Sequence, residues 1–144
     1  RLPSRVIDLI KEHHGTNVTR YQYSKALEAA ENPEDVNVSD FTYPGPPPQS
    51  RETALLMLAD GTEASARANT PKTDEEILNV INDVIDFCKD SGQLDNTDLT
   101  LRDIQTVKES FYNTLKQSYH PRIKYPEQPK QAVVAATTEA SNPS

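Results

Sequence analysis

The chain has 144 residues with 15 basic and 22 acidic side chains, so its formal net charge is −7. This balance argues against binding of a nucleic-acid duplex through its phosphates, and a single cysteine, Cys88, excludes an internal disulfide framework and a cysteine-based zinc finger. The longest apolar run, Ala54 to Ala59, is far shorter than the roughly 20 residues of a membrane helix. Because the sequence begins with Arg1, not Met, and leads directly into a predicted helix, we expect it to be a piece of a longer intracellular protein.

The N-terminal third is predicted to form two helices, since its apolar residues recur at helical spacing and do not alternate as in a strand. The first helix opens at Pro3-Ser4 and stops at Gly15, and its inward face is predicted to comprise Val6, Leu9, Ile10 and His13. The second is predicted from Asn17 to Glu31, with inward positions Tyr21, Ala26, Leu27 and Ala30. A stiff, proline-rich loop at residues 43–48 follows.

Three further helices are predicted after this loop. Ser50 caps the third helix, which runs to about Ala68 with a core stripe of Ala54, Leu55, Leu58, Thr62 and Ser65. Thr73 and Glu76 form a capping-box pattern for the fourth, with buried positions Ile77, Val80, Ile81, Val84 and Phe87, and Ser91-Gly92 ends it. Thr100 and Asp103 open the fifth, whose apolar stripe is Leu101, Ile104, Val107, Phe111 and Leu115. The expected fold is all-α, about five helices, with Cys88 in the core.

The C-terminal end differs in composition from the rest of the chain. Pro121 is predicted to end the fifth helix after His120, which we interpret as structural. Residues 128–144 are rich in Gln, Pro, Ala, Thr and Ser and have no apolar face, so a disordered tail is predicted there. The organised part is therefore expected to span residues 1–127.

Two sets of side chains could bind a metal. His13 and His14 point about 100° apart on a helix, so one could bind a metal while the other reaches a second metal or a substrate phosphate. The alternative is a surface pair at a helix C-terminus. Asp60 follows the apolar run and is expected to be drawn inward, where it needs a cation or hydrogen-bond donors. Glu63 and Arg67 share its helix face, so an internal ion pair that only joins helices is equally compatible.

The loop before the third helix could receive a phosphate. It brings aromatic, amide, hydroxyl and guanidinium groups together just ahead of the first helical amides. A rigid turn with a helix cap is the alternative. The candidate substrate-binding residues are Tyr43, Gln49, Ser50, Arg51 and, on the following helix, Arg67.

A series of short motifs closely resembles the C-terminal half of the seven-transmembrane HD phosphohydrolases. In chain order the motifs are His13-His14-Gly15-Thr16, Phe41 to Pro46, Pro48-Gln49-Ser50, Met57 to Asp60 with Glu63-Ala64 and Arg67, Asp90 to Leu94, Asp98 to Asp103, Tyr119-His120, Arg122-Ile123 and Tyr125-Pro126. They run through residues 2–127. The resemblance implies an HD-domain helical bundle, of which this chain is the C-terminal portion.

The same resemblance implies a metal-dependent phosphodiesterase that cleaves the second messenger cyclic di-AMP to linear pApA on the cytoplasmic face of a bacterial membrane. His13 and His14 match the family's tandem histidine ligands, and Asp60 matches its last aspartate ligand. Two divalent transition metals, iron or manganese, are the implied cofactors.

The chain also departs from the family pattern. An upstream histidine, a His-Asp pair and another histidine are absent, so we expect them, with the membrane helices, in a preceding segment. Pro47 stands where a basic residue is common and Gly61 where serine is usual, which affects the expected substrate preference. We predict that the chain alone binds metal weakly and has no turnover. The alternatives are a regulatory or interaction bundle whose site has lapsed, and an HD phosphohydrolase for another nucleotide.

Overall fold

The computed structural model describes residues 2–119, and within that range the regular elements are five α-helices and two short 3₁₀ turns. The helices are α1 (Ser4–Glu12), α2 (Arg20–Ala29), α3 (Arg51–Asn69), α4 (Asp74–Asp90) and α5 (Leu101–Tyr119). The 3₁₀ turns, Pro33–Asp35 and Val38–Phe41, lie between α2 and α3. The predicted all-α fold is confirmed, while the ends predicted at Pro121 and for the tail at residues 128–144 lie outside the described residues.

The core forms where α3, α4 and α5 pack together. Its largest fully buried apolar side chains are Leu58, Ile77, Ile81 and Ile85, and burying each contributes about 1.5–3 kcal/mol relative to leaving it exposed. Cys88 is buried in the same cluster, as predicted. No helix within residues 2–119 is long and apolar enough to cross a membrane.

The predicted helix starts of α3 and α4 are confirmed by their hydrogen bonds. The Thr53 amide donates to Ser50 Oγ over 3.3 Å, and the Glu76 amide donates to Thr73 Oγ1 over 3.2 Å. At both starts the third helical side chain accepts the amide of the capping residue, which completes a capping box. These bonds satisfy amides that have no partner inside the helix, which stabilises the helix starts at these positions.

The segment between α1 and α3 is closed at its base by contacts between its two ends. Val18 and Thr42 form an isolated antiparallel bridge, and the Thr19 amide and hydroxyl both donate to the carbonyl of Phe41. The Tyr43 amide donates to the carbonyl of Asn17 over 2.9 Å. We call residues 18–42, which include α2, the excursion. Its helix covers Arg20–Ala29 and is therefore shorter than the predicted span of 17–31.

Several predicted inward positions are wrong. Val6 and Ile10 on α1 are exposed, because nothing in the described part of the chain covers that face, and Tyr21 on α2 is exposed as well. On α3 and α4 most predicted positions are buried, but Leu55 and Phe87 are exposed, while Met57 and Ile85 are buried and were not predicted. Leu101, the first residue of α5, is 88% exposed.

Candidate functional site

The C-terminal end of α1 presents His13 with a defined tautomer. Its Nδ1 lies 3.0 Å from the carbonyl oxygen of Leu9 and 2.9 Å from that of Ile10. Because a carbonyl can only accept, Nδ1 carries the proton, which leaves the lone pair of the neutral ring on Nε2. This backbone hydrogen bond is the kind of contact that fixes the ring of a metal-binding histidine.

His14 lies between Tyr43 and Asp60. Its ring stacks on that of Tyr43 with centroids 4.4 Å apart and planes 13° apart, and its Nδ1 is 3.8 Å from Asp60 Oδ2. Burial and the neighbouring His13 lower the pKa of His14, against the opposing effect of Asp60. This shift favours the uncharged ring, which is the form in which an imidazole binds a metal.

The structure thus places Asp60 beside His14, whose neighbour His13 is the remaining predicted metal ligand. The rings of His13 and His14 have centroids 3.9 Å apart and are tilted by 40°. Nitrogen and carboxylate oxygen suit a transition metal, so the donor chemistry fits, although residues 2–119 contain no group of three or more His, Cys, Asp or Glu side chains placed to hold one ion. The prediction that Asp60 is drawn inward is wrong: its side chain is 52% exposed, and it faces His14 rather than an arginine.

The proline-rich loop is attached to the end of α1 by a buried carboxylate. The Gln49 amide donates to Glu12 Oε2 over 3.1 Å, and Glu12 is only 9% exposed. Gln49 donates its side-chain amide to the carbonyl of Pro47, and the Ser50 hydroxyl lies 2.9 Å from Thr53 Oγ1. Of the predicted substrate-binding residues in this loop, Tyr43 is therefore the one whose side chain packs directly on a predicted ligand.

The two predicted substrate-binding arginines have partners within the chain. Arg51 donates to the carbonyl of Asp98 over 3.0 Å and lies 3.8 Å from the carboxylate of Asp103. Arg67 pairs with Glu63 on the same helix over 3.4 Å, and both side chains are largely exposed. Exposed pairs of this kind are weak.

Sequence reasoning missed two buried side chains that support the histidine turn. One is Glu12, described above, and the other is Gln93 in the connection between α4 and α5, which is 3% exposed. The Thr16 amide donates to Gln93 Oε1 over 3.0 Å, and Gln93 Nε2 donates to Thr16 Oγ1 over 2.9 Å. The resemblance includes both Thr16 and Gln93, but no local pattern indicates that residues 77 positions apart are in contact.

Gly15 permits this contact. Its φ is +53°, and a side chain there would collide with that of Gln93 and come within 2.7 Å of Met57 Cε. Glycine is the residue that adopts such a φ without steric cost. The turn that carries the two histidines is therefore packed directly against both α3 and the α4–α5 connection.

Comparison with known proteins identifies relatives for most of the chain. No protein-family model matches it. It is 34% identical over 130 residues to the cyclic-di-AMP phosphodiesterase PgpH of Bacillus subtilis and 36% identical over 126 residues to that of Listeria monocytogenes. These alignments include 90% and 88% of this chain but only 18% and 17% of the relatives.

Solved structures that resemble this chain are also of PgpH. The HD domain of Listeria monocytogenes PgpH in complex with cyclic di-AMP matches with a TM-score of 0.75 and 35% identity, over 86% of this chain and 57% of that one. The chain matches part of the PgpH HD domain. A second structure of that HD domain gives a TM-score of 0.71 at 33% identity, so fold and sequence both support the expected resemblance to HD phosphohydrolases.

Proposed function

We propose that this chain contributes part of the active site of an HD-superfamily phosphodiesterase that hydrolyses cyclic di-AMP to pApA. The observation that carries the proposal is its similarity, in sequence and in fold, to a PgpH HD domain whose structure contains cyclic di-AMP. The juxtaposition of His14, in the turn after α1, and Asp60, on α3, supports it, because such a pair suits a hydrolytic metal centre.

In this proposal His13, His14 and Asp60 bind metal through imidazole nitrogens and a carboxylate oxygen. Bound divalent transition metals, of which we expect two and favour iron or manganese, would lower the pKa of water and neutralise charge on phosphoryl oxygens. The protein's own contribution is positional. The Leu9 and Ile10 carbonyls accept from His13 Nδ1, so Nε2 is the nitrogen that would face a metal, and Tyr43 supports one face of the His14 ring.

Substrate contacts are proposed in the loop before α3, at the start of α3 and, for Arg67, in its last turn. Tyr43 is the best supported, since it stacks on His14. Gln49, Ser50, Arg51 and Arg67 remain predictions, and each would have to exchange or share its present partner within the chain to reach a ligand.

We further propose that residues 1–127 form the C-terminal portion of the HD domain and that residues 128–144 are a tail. The remaining ligands, and membrane helices that would hold the domain at the cytoplasmic face, are assigned to a preceding segment. The small-molecule partner is a nucleotide second messenger.

The test compares metal content and cyclic-di-AMP hydrolysis in three proteins: the complete HD domain, the same domain with Asp60→Asn, and the 144-residue chain alone. Asp60→Asn retains the shape of the side chain but removes its charge. We expect bound metal and turnover in the complete domain, loss of turnover with Asp60→Asn, and none in the chain alone. A matched control is Asp83→Asn, which changes an exposed aspartate on α4 and should leave turnover unchanged.

The outcomes separate this proposal from its alternatives. A folded complete domain without metal or turnover would contradict the phosphodiesterase and favour a regulatory or interaction bundle. Turnover of another cyclic or linear nucleotide, with cyclic di-AMP inert, would retain the enzyme class but replace the substrate. Turnover that survives Asp60→Asn would exclude Asp60 from the site.

A further inference from the structure

We propose that Gln93 is a positioning residue that holds the His13–His14 turn in place against Asp60. The inference rests on the proposed role of these histidines as metal ligands and adds to that site a residue from the connection between α4 and α5. Gln93 is buried and polar, and it is hydrogen-bonded to Thr16, which lies in the same turn two residues after His14.

The turn has two attachments, one on each side of the histidines. On the N-terminal side, buried Glu12 accepts the amide of Gln49. On the C-terminal side, Gln93 accepts the amide of Thr16 and donates to its hydroxyl. Because the histidines lie between these two points, we expect loss of either attachment to loosen that side of the turn relative to α3.

Gln93 is itself fixed to α4, which makes it a suitable support. Its own amide donates to the carbonyl of Cys88 over 3.0 Å, and its Nε2 also reaches the carbonyl of Ser91 at 3.3 Å. A side chain bonded at several points in a buried setting loses little further freedom when it binds the turn. The contact therefore fixes the histidine turn relative to the C-terminal end of α4.

The contact is close as well as polar. A Cβ atom on Gly15 would collide with the Gln93 side chain, so the turn lies in van der Waals contact with it. A leucine at position 93 would retain much of this volume but offer neither an acceptor to the Thr16 amide nor a donor to its hydroxyl. The Gln93→Leu variant therefore tests the hydrogen bonds separately from the packing.

The experiment uses NMR on the 144-residue chain, with Mn²⁺ as the probe. Two quantities are measured: nuclear Overhauser effects between the His14 and Tyr43 rings, and the Mn²⁺ concentration that half-broadens the His14 ring signals. Paramagnetic broadening detects weak binding, so an incomplete ligand set can still be studied. The variants are Gln93→Leu, Thr16→Ser, which retains the hydroxyl, and Val107→Ala, which creates a cavity in the core without removing a hydrogen bond to the turn.

For Gln93→Leu we expect loss of the His14–Tyr43 effects and about a tenfold increase in the half-broadening concentration, the usual scale for removing a residue that orients a metal ligand. Thr16→Ser should resemble the unmodified chain. Val107→Ala should lower stability but retain both signals, which separates positioning from general destabilisation.

Two results would overturn the inference: unchanged signals in Gln93→Leu, or an equal loss in Val107→Ala. If the unmodified chain gives the ring contacts but no Mn²⁺ broadening at His14, the proposed ligand role is contradicted instead. The ring contacts in Gln93→Leu then decide the positioning role by themselves, since their loss supports it and their retention refutes it.

Discussion

Alanine at Gly15 should destabilise the protein much more than alanine at another glycine with a positive φ. Adding a Cβ at φ +53° costs about 1–2 kcal/mol from the left-handed backbone alone. The new methyl group would also press on Gln93 and lie 2.7 Å from Met57 Cε, and overpacking of this kind adds about 1–3 kcal/mol. The expected loss in the free energy of unfolding is therefore about 2–5 kcal/mol.

Gly92→Ala provides the matched control. Gly92 has φ +76°, and its Cβ would meet only the Asp95 carboxylate, at 3.1 Å. Asp95 is exposed and can rotate away, so the expected cost is the backbone part alone, about 1–2 kcal/mol. Urea unfolding followed by circular dichroism measures both variants, and the m-value reports whether the unfolding transition itself has changed.

The reasoning is refuted if Gly15→Ala and Gly92→Ala lose equal stability, because the packing of the turn on Gln93 would then have no energetic consequence. A double variant, Gly15→Ala with Gln93→Ala, supplies a second check. Removing the Gln93 side chain makes room for the methyl group, so the double variant should lose less stability than the sum of the two single changes.

Three further predictions concern the helix ends and the buried thiol. Burial raises the pKa of Cys88 from 9.0 to about 11. At pH 8 this leaves about a hundredfold less thiolate, so the folded protein should react with an alkylating reagent far more slowly than in urea. Equal rates in buffer and urea would contradict the burial of this thiol. Thr73→Ala removes the acceptor for the Glu76 amide and should cost about 1 kcal/mol in urea unfolding; the exposed Thr106→Ala on α5 is the control, and equal losses would exclude the cap as the cause. Thr70 ends α3 with φ +43°, so Thr70→Gly should raise stability by about 0.5–1 kcal/mol after the greater unfolded-state entropy of glycine is subtracted, and a lower melting temperature would count against this strain.

The sequence was most informative where a structure depends on neighbouring residues. Ser50 and Thr73 were predicted to cap their helices and do so, because a capping box needs only residues three positions apart. The rotation of a helix about its axis depends instead on what packs against it. The apolar run in α3 surrounds the whole helix, so periodicity could not decide between Leu55 and Met57.

In the candidate site, too, the residues within short motifs were predicted and the contacts between distant residues were not. Recognition of the motifs brought His14, Tyr43 and Asp60 into one hypothesis, and the structure places them side by side, while their roles remain proposals. Glu12 and Gln93 could not be predicted, because their partners are 37 and 77 residues away. A buried Gln or Glu can be recognised as a support for the histidine turn only after the fold is known.

The closed base of the excursion divides the chain into a part that positions the site and a part that can vary. The bridge between Val18 and Thr42, with the bonds on either side of it, joins the two ends of the excursion directly. Because His14 and Tyr43 lie just below this junction, their separation does not depend on the length of chain that projects beyond it. Residues 30–37, between α2 and the second 3₁₀ turn, are consequently the place where a peptide tag, a fluorescent label or an inserted domain should be tolerated without displacing the histidines.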